Sequence, residues 1–380
     1  MMFRQLLASV LLAASVHFEH AAGAPYPQSD IDSGKVLANL SQTAYNNAMS
    51  RLAISTGTCT KENVKVRKEW RKLPAEDRIA YRKAVECLMQ QPPAFTNVSG
   101  AKTAFDDFGV LHVAFTPYVH ASASFLTFHR YYIHTFEQRL RNLCGFKGTM
   151  PYWEWGLDCA DMDKSPLFDG SETSLGGNGE KVRGGQSPGG MFGAKAGTGG
   201  GCVKKGPFSN YTVNMGPIGA RNPLDYNPRC LKRDLNSDIC AKWASIRNTT
   251  QVITDTSDIE LFQAMLQGDP RYAKSAVLGL AVHGGGHFTI GGDPGGDFYF
   301  SPLEPGFYLH HGQIDRMYFV WQNLDWAKRQ NVAGTITMNN QPPTRNGTLD
   351  DTLDFSPLNP EKKLRELMDT IAGPFCYVYE

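Results

Sequence analysis

The spacing of apolar positions along the chain predicts helices far more often than strands. Residues 34–53 read as one helix within a stretch that runs from 25 to 58. Over residues 61–90, Val64, Trp70, Leu73, Ile79, Tyr81, Val85 and Leu88 predict two helices broken at Leu73-Pro74. Phe125, His129, Tyr132, Phe136 and Leu140 recur every three or four residues, so they share one helix face and put His129 on a buried stripe. His134 lies about 140° further round that helix and reads as structural or exposed. Further helices are expected at 258–268, at 272–287 and from His310 to about Arg329. Residues 175–206 are rich in glycine and poor in apolar side chains, which predicts a long irregular surface loop, disordered rather than a lid. A polar, glycine-rich connection covers 291–306. The pattern describes a mainly α chain with long irregular loops and few short strands, and no internal repeat is evident.

Histidine placement adds chemistry to this outline. Of ten histidines, six form two separated triplets: His112, His120 and His129, then His283, His287 and His311. Sites built from imidazole without an obvious carboxylate favour a borderline-soft transition metal over calcium or magnesium. His283 and His287 are four residues apart, offset by only about 40° on a helix, so one ion can bridge them. The intervening Gly284-Gly285-Gly286 weakens that helix but leaves room beside the ligands. No glutamate follows His283, which excludes the zinc-protease motif. His310 and His311 differ by about 100° on a helix, so only one reaches a shared ion. His311 is preferred because it shares its face with Asp315, an acceptor able to orient an imidazole, leaving His310 to the far wall. Pro117 argues against an unbroken helix from His112 to His120, so His112 should end one element and His120 lie in a loop.

Residues 1–24 look like a secretory signal, with Arg4, an apolar core from Leu6 to Val16 and a small-residue cleavage site at Ala22-Gly23-Ala24. That apolar run is too short to span a bilayer. All eight cysteines follow it, which in an exported chain suggests disulfides, and no C-x-x-C pair suggests a metal. Asn39, Asn97, Asn210, Asn248 and Asn346 each begin an N-glycosylation sequon. With 38 basic and 37 acidic residues the formal charge is +1, so nothing points to nucleic acid or a membrane surface as partner. A secreted protein acting on small molecules fits.

The run from His120 through Phe125 to His129-Arg130 resembles the first copper motif of the tyrosinase and catechol oxidase family. His283-x-x-x-His287 and the segment Phe307 to Arg316, with His311 and Asp315, resemble the second. The run from Gly206 to Pro217 and the short His112–His120 interval are similar to the short secreted fungal branch. Tyr377-Val378-Tyr379 resembles the tyrosine motif that closes the catalytic core, and Arg67 its arginine partner. The resemblance implies a four-helix core carrying a dinuclear type-3 copper centre over residues 59–380, preceded by an N-terminal extension at 25–58. It implies one copper per triplet, dioxygen bound between the two, and an o-diphenol leaving as an o-quinone; some members first hydroxylate a phenol. Arg130, Gly284, Phe307 and Asp315 become candidates for the pocket or its surround. Where the family often has a cysteine two residues before its second ligand, Tyr118 stands here, so no thioether can form. Gly284 replaces an asparagine seen in many phenol-hydroxylating members, which points to catechol oxidation. No C-terminal shielding domain follows Tyr379, so activity is expected without proteolytic release. The alternatives are a tyrosinase with full monophenolase activity, a dioxygen carrier of haemocyanin type, and a dizinc hydrolase that lacks a bridging carboxylate.

Overall fold

Helices carry most of the ordered backbone in the computed structural model, which describes residues 26–183, 193–272 and 279–380. The leader read at 1–24 lies outside the described residues. Two N-terminal helices come first, α1 (Gln28–Asp32) and α2 (Lys35–Ala53). A short strand β1 (Lys65–Arg67) and α3 (Ala75–Leu88) follow, then α4 (Asp106–Val119) and α5 (Phe125–Cys144). After two-stranded pieces β2 (Gly179–Lys181) with β3 (Gly200–Val203) and β4 (Thr212–Val213) with β5 (Arg229–Cys230) come α6 (Ser237–Trp243), α7 (Ile246–Thr254) and α8 (Ile259–Gln267). Two helices, α9 (Ala281–Ile290) and α10 (Phe307–Leu324), precede the hairpin β6 (Thr352–Phe355)–β7 (Asn359–Lys363) and the closing strand β8 (Tyr377–Tyr379).

The apolar interior gathers around α4, α5 and α10. Phe125, Phe128, Tyr132, Phe136 and Leu140 of α5 are all fully or nearly fully buried, the face that their spacing describes. Helix α10 is buried along almost its whole length, and its two charged residues, Asp315 and Arg316, are both paired with opposite charges in the interior. α2 packs on α10, where Ser41 accepts a hydrogen bond from Arg316 and Asn47 and Arg51 donate to Asn323. α8 begins at the Asp258 cap, whose carboxylate accepts the Leu261 N–H, and ends at Gly268 in the left-handed region. Among the described residues no helix is long and apolar enough to cross a membrane.

Several expectations change. Residues 61–90 hold one long helix, α3, rather than two, because Lys65–Arg67 pairs in parallel with Tyr377–Tyr379 at the other end of the chain. That long-range pairing overrides the local helical spacing. α4 runs on through Pro117, so His112 sits inside a helix and does not end one. The proline is tolerated because Val113 and Pro117 lie on the partly exposed side, where water can serve the carbonyl that lost its donor. Among the described residues, the helix expected over 272–287 is present as Ala281–Ile290; residues 273–278 lie outside the described ones. The described ends of the glycine-rich 175–206 segment are not loose. They form the β2–β3 pair, and Leu175 is fully buried.

Four disulfides join Cys59 to Cys376, Cys87 to Cys144, Cys159 to Cys240 and Cys202 to Cys230, which uses all eight cysteines. The first of them ties the chain near β1 to the chain near β8. Beneath that join lies a buried charge cluster. The Asp315 carboxylate accepts hydrogen bonds from Arg130 (2.6 Å), Tyr377 (2.6 Å) and Tyr379 (2.7 Å), and Arg67 bridges it to Glu137 (2.7 Å). Arg67 also lies over the Tyr377 ring at 3.6 Å. Burial raises the Asp315 pKa, but Arg130 and Arg67 outweigh it, and the carboxyl stays below its usual range.

Candidate metal centre

His112 stands inside α4, His120 at its exit and His129 in the second turn of α5. All three are buried, and their ligand atoms lie within 4.8 Å of one another. Each Nδ1 faces a backbone carbonyl: His112 that of Tyr299 (2.8 Å), His120 that of Thr116 (3.1 Å) and His129 that of Phe125 (2.9 Å). A carbonyl only accepts, so each Nδ1 carries the proton and each Nε2 presents a lone pair. The Nε2 atoms of His112 and His129 are buried without any hydrogen-bond partner. Three lone pairs converging in a buried site match the donor set of an imidazole-bound transition metal.

The second group comes from α9 and α10. His283, His287, His310 and His311 place ligand atoms within 4.8 Å of one another. His287 Nε2 lies 3.2 Å from His283 Nε2 and 3.3 Å from His311 Nε2. Burial holds His287 down to about 3 and His120 to about 4, and drives the others well below the usual histidine value. Neutral imidazoles crowded this closely are the protonation state that a metal requires. His310 is drawn closer than the far wall expected of it. Its ring centroid lies 4.2 Å from that of His287, and both its nitrogens are buried without partners. It fits there because residue 286 is glycine: a Cβ would come 2.3 Å from His310 Nδ1.

The two groups share a wall. His120 faces His283 with centroids 6.0 Å apart and planes 26° from parallel. Phe307 packs on His311 (4.3 Å), His287 (5.6 Å) and His112 (5.7 Å), between both groups. A cavity of about 310 Å³ opens on them, lined by His120, His283, His287, Gly284, Leu280, Phe288, Gln267, Asp297 and Phe298 among others. Larger hollows exist elsewhere on the surface, such as one of about 600 Å³ beside Tyr211, but no histidine lines that one. Phe298 is half exposed at the mouth, its ring 4.5 Å from His120.

The other sequence candidates separate into two places. Gly284 lines the cavity, where an added Cβ would meet Leu280 Cβ at 3.3 Å. Asp315 does not orient His311. Sharing a helix face sets spacing but not direction, and its carboxylate is taken by Arg130, Arg67, Tyr377 and Tyr379. Arg130 is likewise spent on Asp315 and the Met368 carbonyl (2.6 Å). His134 is buried against Phe375, away from both groups. Sequence reasoning missed Thr116 and Tyr299, whose carbonyls orient imidazoles, because a backbone contact leaves no trace in side-chain identity. It also missed Phe298, which falls in an irregular segment with no periodicity to mark it.

Comparison with known proteins agrees with this arrangement. Residues 102–324 match the common central domain of tyrosinase. The chain is 37% identical over 333 residues to tyrosinase P of Aspergillus terreus, covering 83% of this chain and 91% of that protein. It is 34% identical over 349 residues to the N-acetyl-6-hydroxytryptophan oxidase ivoB of Emericella nidulans, covering 85% and 94%. A solved polyphenol oxidase from Thermothelomyces thermophila, in mutant form, superposes with a TM-score of 0.84 at 34% identity, covering 93% of this chain and all of that one.

Proposed function

Because the chain belongs to the tyrosinase family of type-3 copper proteins, we propose that it oxidises o-diphenols to o-quinones at two coppers, one on His112, His120 and His129 and one on His283, His287 and His311. A copper oxidase of this family takes its electrons from phenolic substrates and passes them to dioxygen. Two catechols each give up two electrons and two protons, and one dioxygen leaves as two waters. The observation that carries the reading is the shared pattern of Nδ1 atoms pinned to carbonyls with bare Nε2 atoms converging beside a second histidine group. Copper, when bound, supplies the redox chemistry. The chain's own residues hold the imidazoles neutral and aimed, and Phe288, Leu280 and Phe298 give the substrate ring an apolar seat.

Oxidation of diphenols is preferred over hydroxylation of phenols. A phenol must lose its proton to bind as phenolate, and a base at the mouth would help. Asp297 is the carboxylate among the described lining residues, and it already accepts N–H groups from Ile218, Tyr299 and Phe300. Gly284 offers no side chain to act as a base either. Assay of the copper-loaded protein with matched mono- and diphenols tests this. A lag-free catechol reaction with little phenol turnover is expected, and efficient phenol hydroxylation would make it a tyrosinase in the full sense.

Export completes the proposal. Four disulfides suit an oxidising compartment, in line with a leader at 1–24 and N-glycans on exposed sequons such as Asn39, Asn97, Asn210 and Asn346. Asn248, the fifth sequon, is half-buried, and its amide donates to the Lys242 and Trp243 carbonyls.

A further inference from the structure

Five of the six proposed ligands stand inside helices, whose backbones fix them: His112 in α4, His129 in α5, His283 and His287 in α9, and His311 in α10. His120 does not. It is the first residue beyond α4, with extended backbone (φ −114°, ψ 141°), and the helix reaches its ring only through the Thr116 carbonyl at Nδ1 (3.1 Å). The segment joining α9 to α10 adds a contact to His120 and another to His112. The Phe298 ring lies against His120 at 4.5 Å, and the next residue, Tyr299, offers the carbonyl that accepts the His112 Nδ1 proton at 2.8 Å.

That dipeptide is itself held by one side chain. Asp297 Oδ1 accepts the N–H groups of Tyr299 (2.8 Å) and Phe300 (3.1 Å), and its own carbonyl accepts that of Ser301 (2.9 Å). Its second oxygen, Oδ2, accepts the Ile218 N–H (2.8 Å), which ties the turn to a neighbouring loop. The ends of the segment are anchored as firmly. Asp293 pairs with Arg229 through two hydrogen bonds (2.6 and 2.7 Å), and Glu304 pairs with the fully buried Arg233 (2.6 and 3.0 Å). A glycine-rich connection with the composition of a flexible loop is therefore built as a rigid strut.

We infer that Asp297 is a positioning residue for the first copper: it fixes the Phe298–Tyr299 turn, and the turn braces His120 by its ring and His112 by its carbonyl. The inference rests on the ligand assignment proposed above. It makes the segment between the second-site helices a support of the first site, so that stiffness at one copper depends on residues that follow the ligands of the other. Partners that orient metal-bound imidazoles change metal affinity by about 10- to 100-fold when removed.

The test separates the sites by leaving one loaded at a time. In the His287→Ala background only the first site holds copper, and in the His120→Ala background only the second. Each full-length protein is loaded with copper and exposed to a chelator, and the metal remaining is measured over time by mass spectrometry. Asp297→Ala is expected to speed copper loss by about 10-fold in the His287→Ala background and to leave the His120→Ala background unchanged. Asp297→Asn keeps an oxygen for both N–H groups and should restore slow release. Phe298→Leu, which keeps the turn but removes the aromatic contact, should give a smaller loss confined to the same background. Equal acceleration in both backgrounds, or none in either, for both Asp297→Ala and Phe298→Leu overturns the inference. The ligand reading fails separately, if wild-type protein does not bind two coppers or if His120→Ala still binds both.

Discussion

His129 and His311 lie ring on ring, with centroids 4.2 Å apart and planes only 9° from parallel. They come from different helices and from different histidine groups, so the two groups form one centre rather than two sites that happen to be near. The contact also separates His311 from His310, whose ring contacts are with His283, His287, His311 and Trp155 rather than with the first group. His311→Ala should therefore lose one of two coppers and with it catechol turnover, while His310→Ala keeps most of both. Metal analysis of the two purified variants decides, and equal copper loss in both would withdraw the assignment.

The glycines between His283 and His287 are predicted to differ sharply in what they tolerate. A Cβ at Gly286 would sit 2.3 Å from His310 Nδ1 and 3.0 Å from Trp155 Nε1, in a fully buried place with no room to yield. A Cβ at Gly284 meets only Leu280, at 3.3 Å and beside an open cavity. Gly286→Ala should then cost copper at the second site, and Gly284→Ala should keep its copper and change only the KM for bulky catechols. Copper content and KM of the pair check this, and a Gly286→Ala protein with full copper would contradict it.

Asp315 acts on stability rather than on the metal. Removing a partner from a buried ion pair leaves charges uncompensated and costs about 3–5 kcal/mol. Asp315→Ala leaves Arg130 and Arg67 in that position, together with two tyrosine hydroxyls. Urea unfolding of the copper-free protein should show a loss of that order. A loss under about 1 kcal/mol, the worth of an exposed pair, would mean the cluster is not the clamp described here.

His134 provides a pH test away from the copper ligands. Burial lowers its pKa to about 4, against an ordinary value near 6.5. Below 6.5 the unfolded chain takes up this proton before the folded one does, so its contribution is complete above that value and is lost as the pH falls towards 4. Between pH 6.5 and 4 the His134→Asn protein should lose stability less steeply than wild type, by about one proton taken up on unfolding. Identical pH slopes for the two proteins would show that His134 titrates normally.

Much of this was legible from residue identity alone, and the reasons are physical. The stripe from Phe125 to Leu140 and the helix expected at 258–268 rest on local signals, and local signals survive folding. Local reasoning failed where distant chain decides: β1 is a strand only because Tyr377–Tyr379 pairs with it. It failed at Pro117 because a proline's cost depends on which side faces water, which no window of sequence reveals. The histidine triplets were visible by count and spacing. What orients them was not, since Thr116, Phe125 and Tyr299 act through carbonyls that every residue owns.

Oxygen consumption by the copper-loaded protein in the presence of catechol bears most directly on the proposed activity. Continuous uptake of one dioxygen for every two quinones formed is expected, lost in both His129→Ala and His311→Ala. Reversible binding of oxygen without quinone, or quinone formation that survives both substitutions, would contradict it.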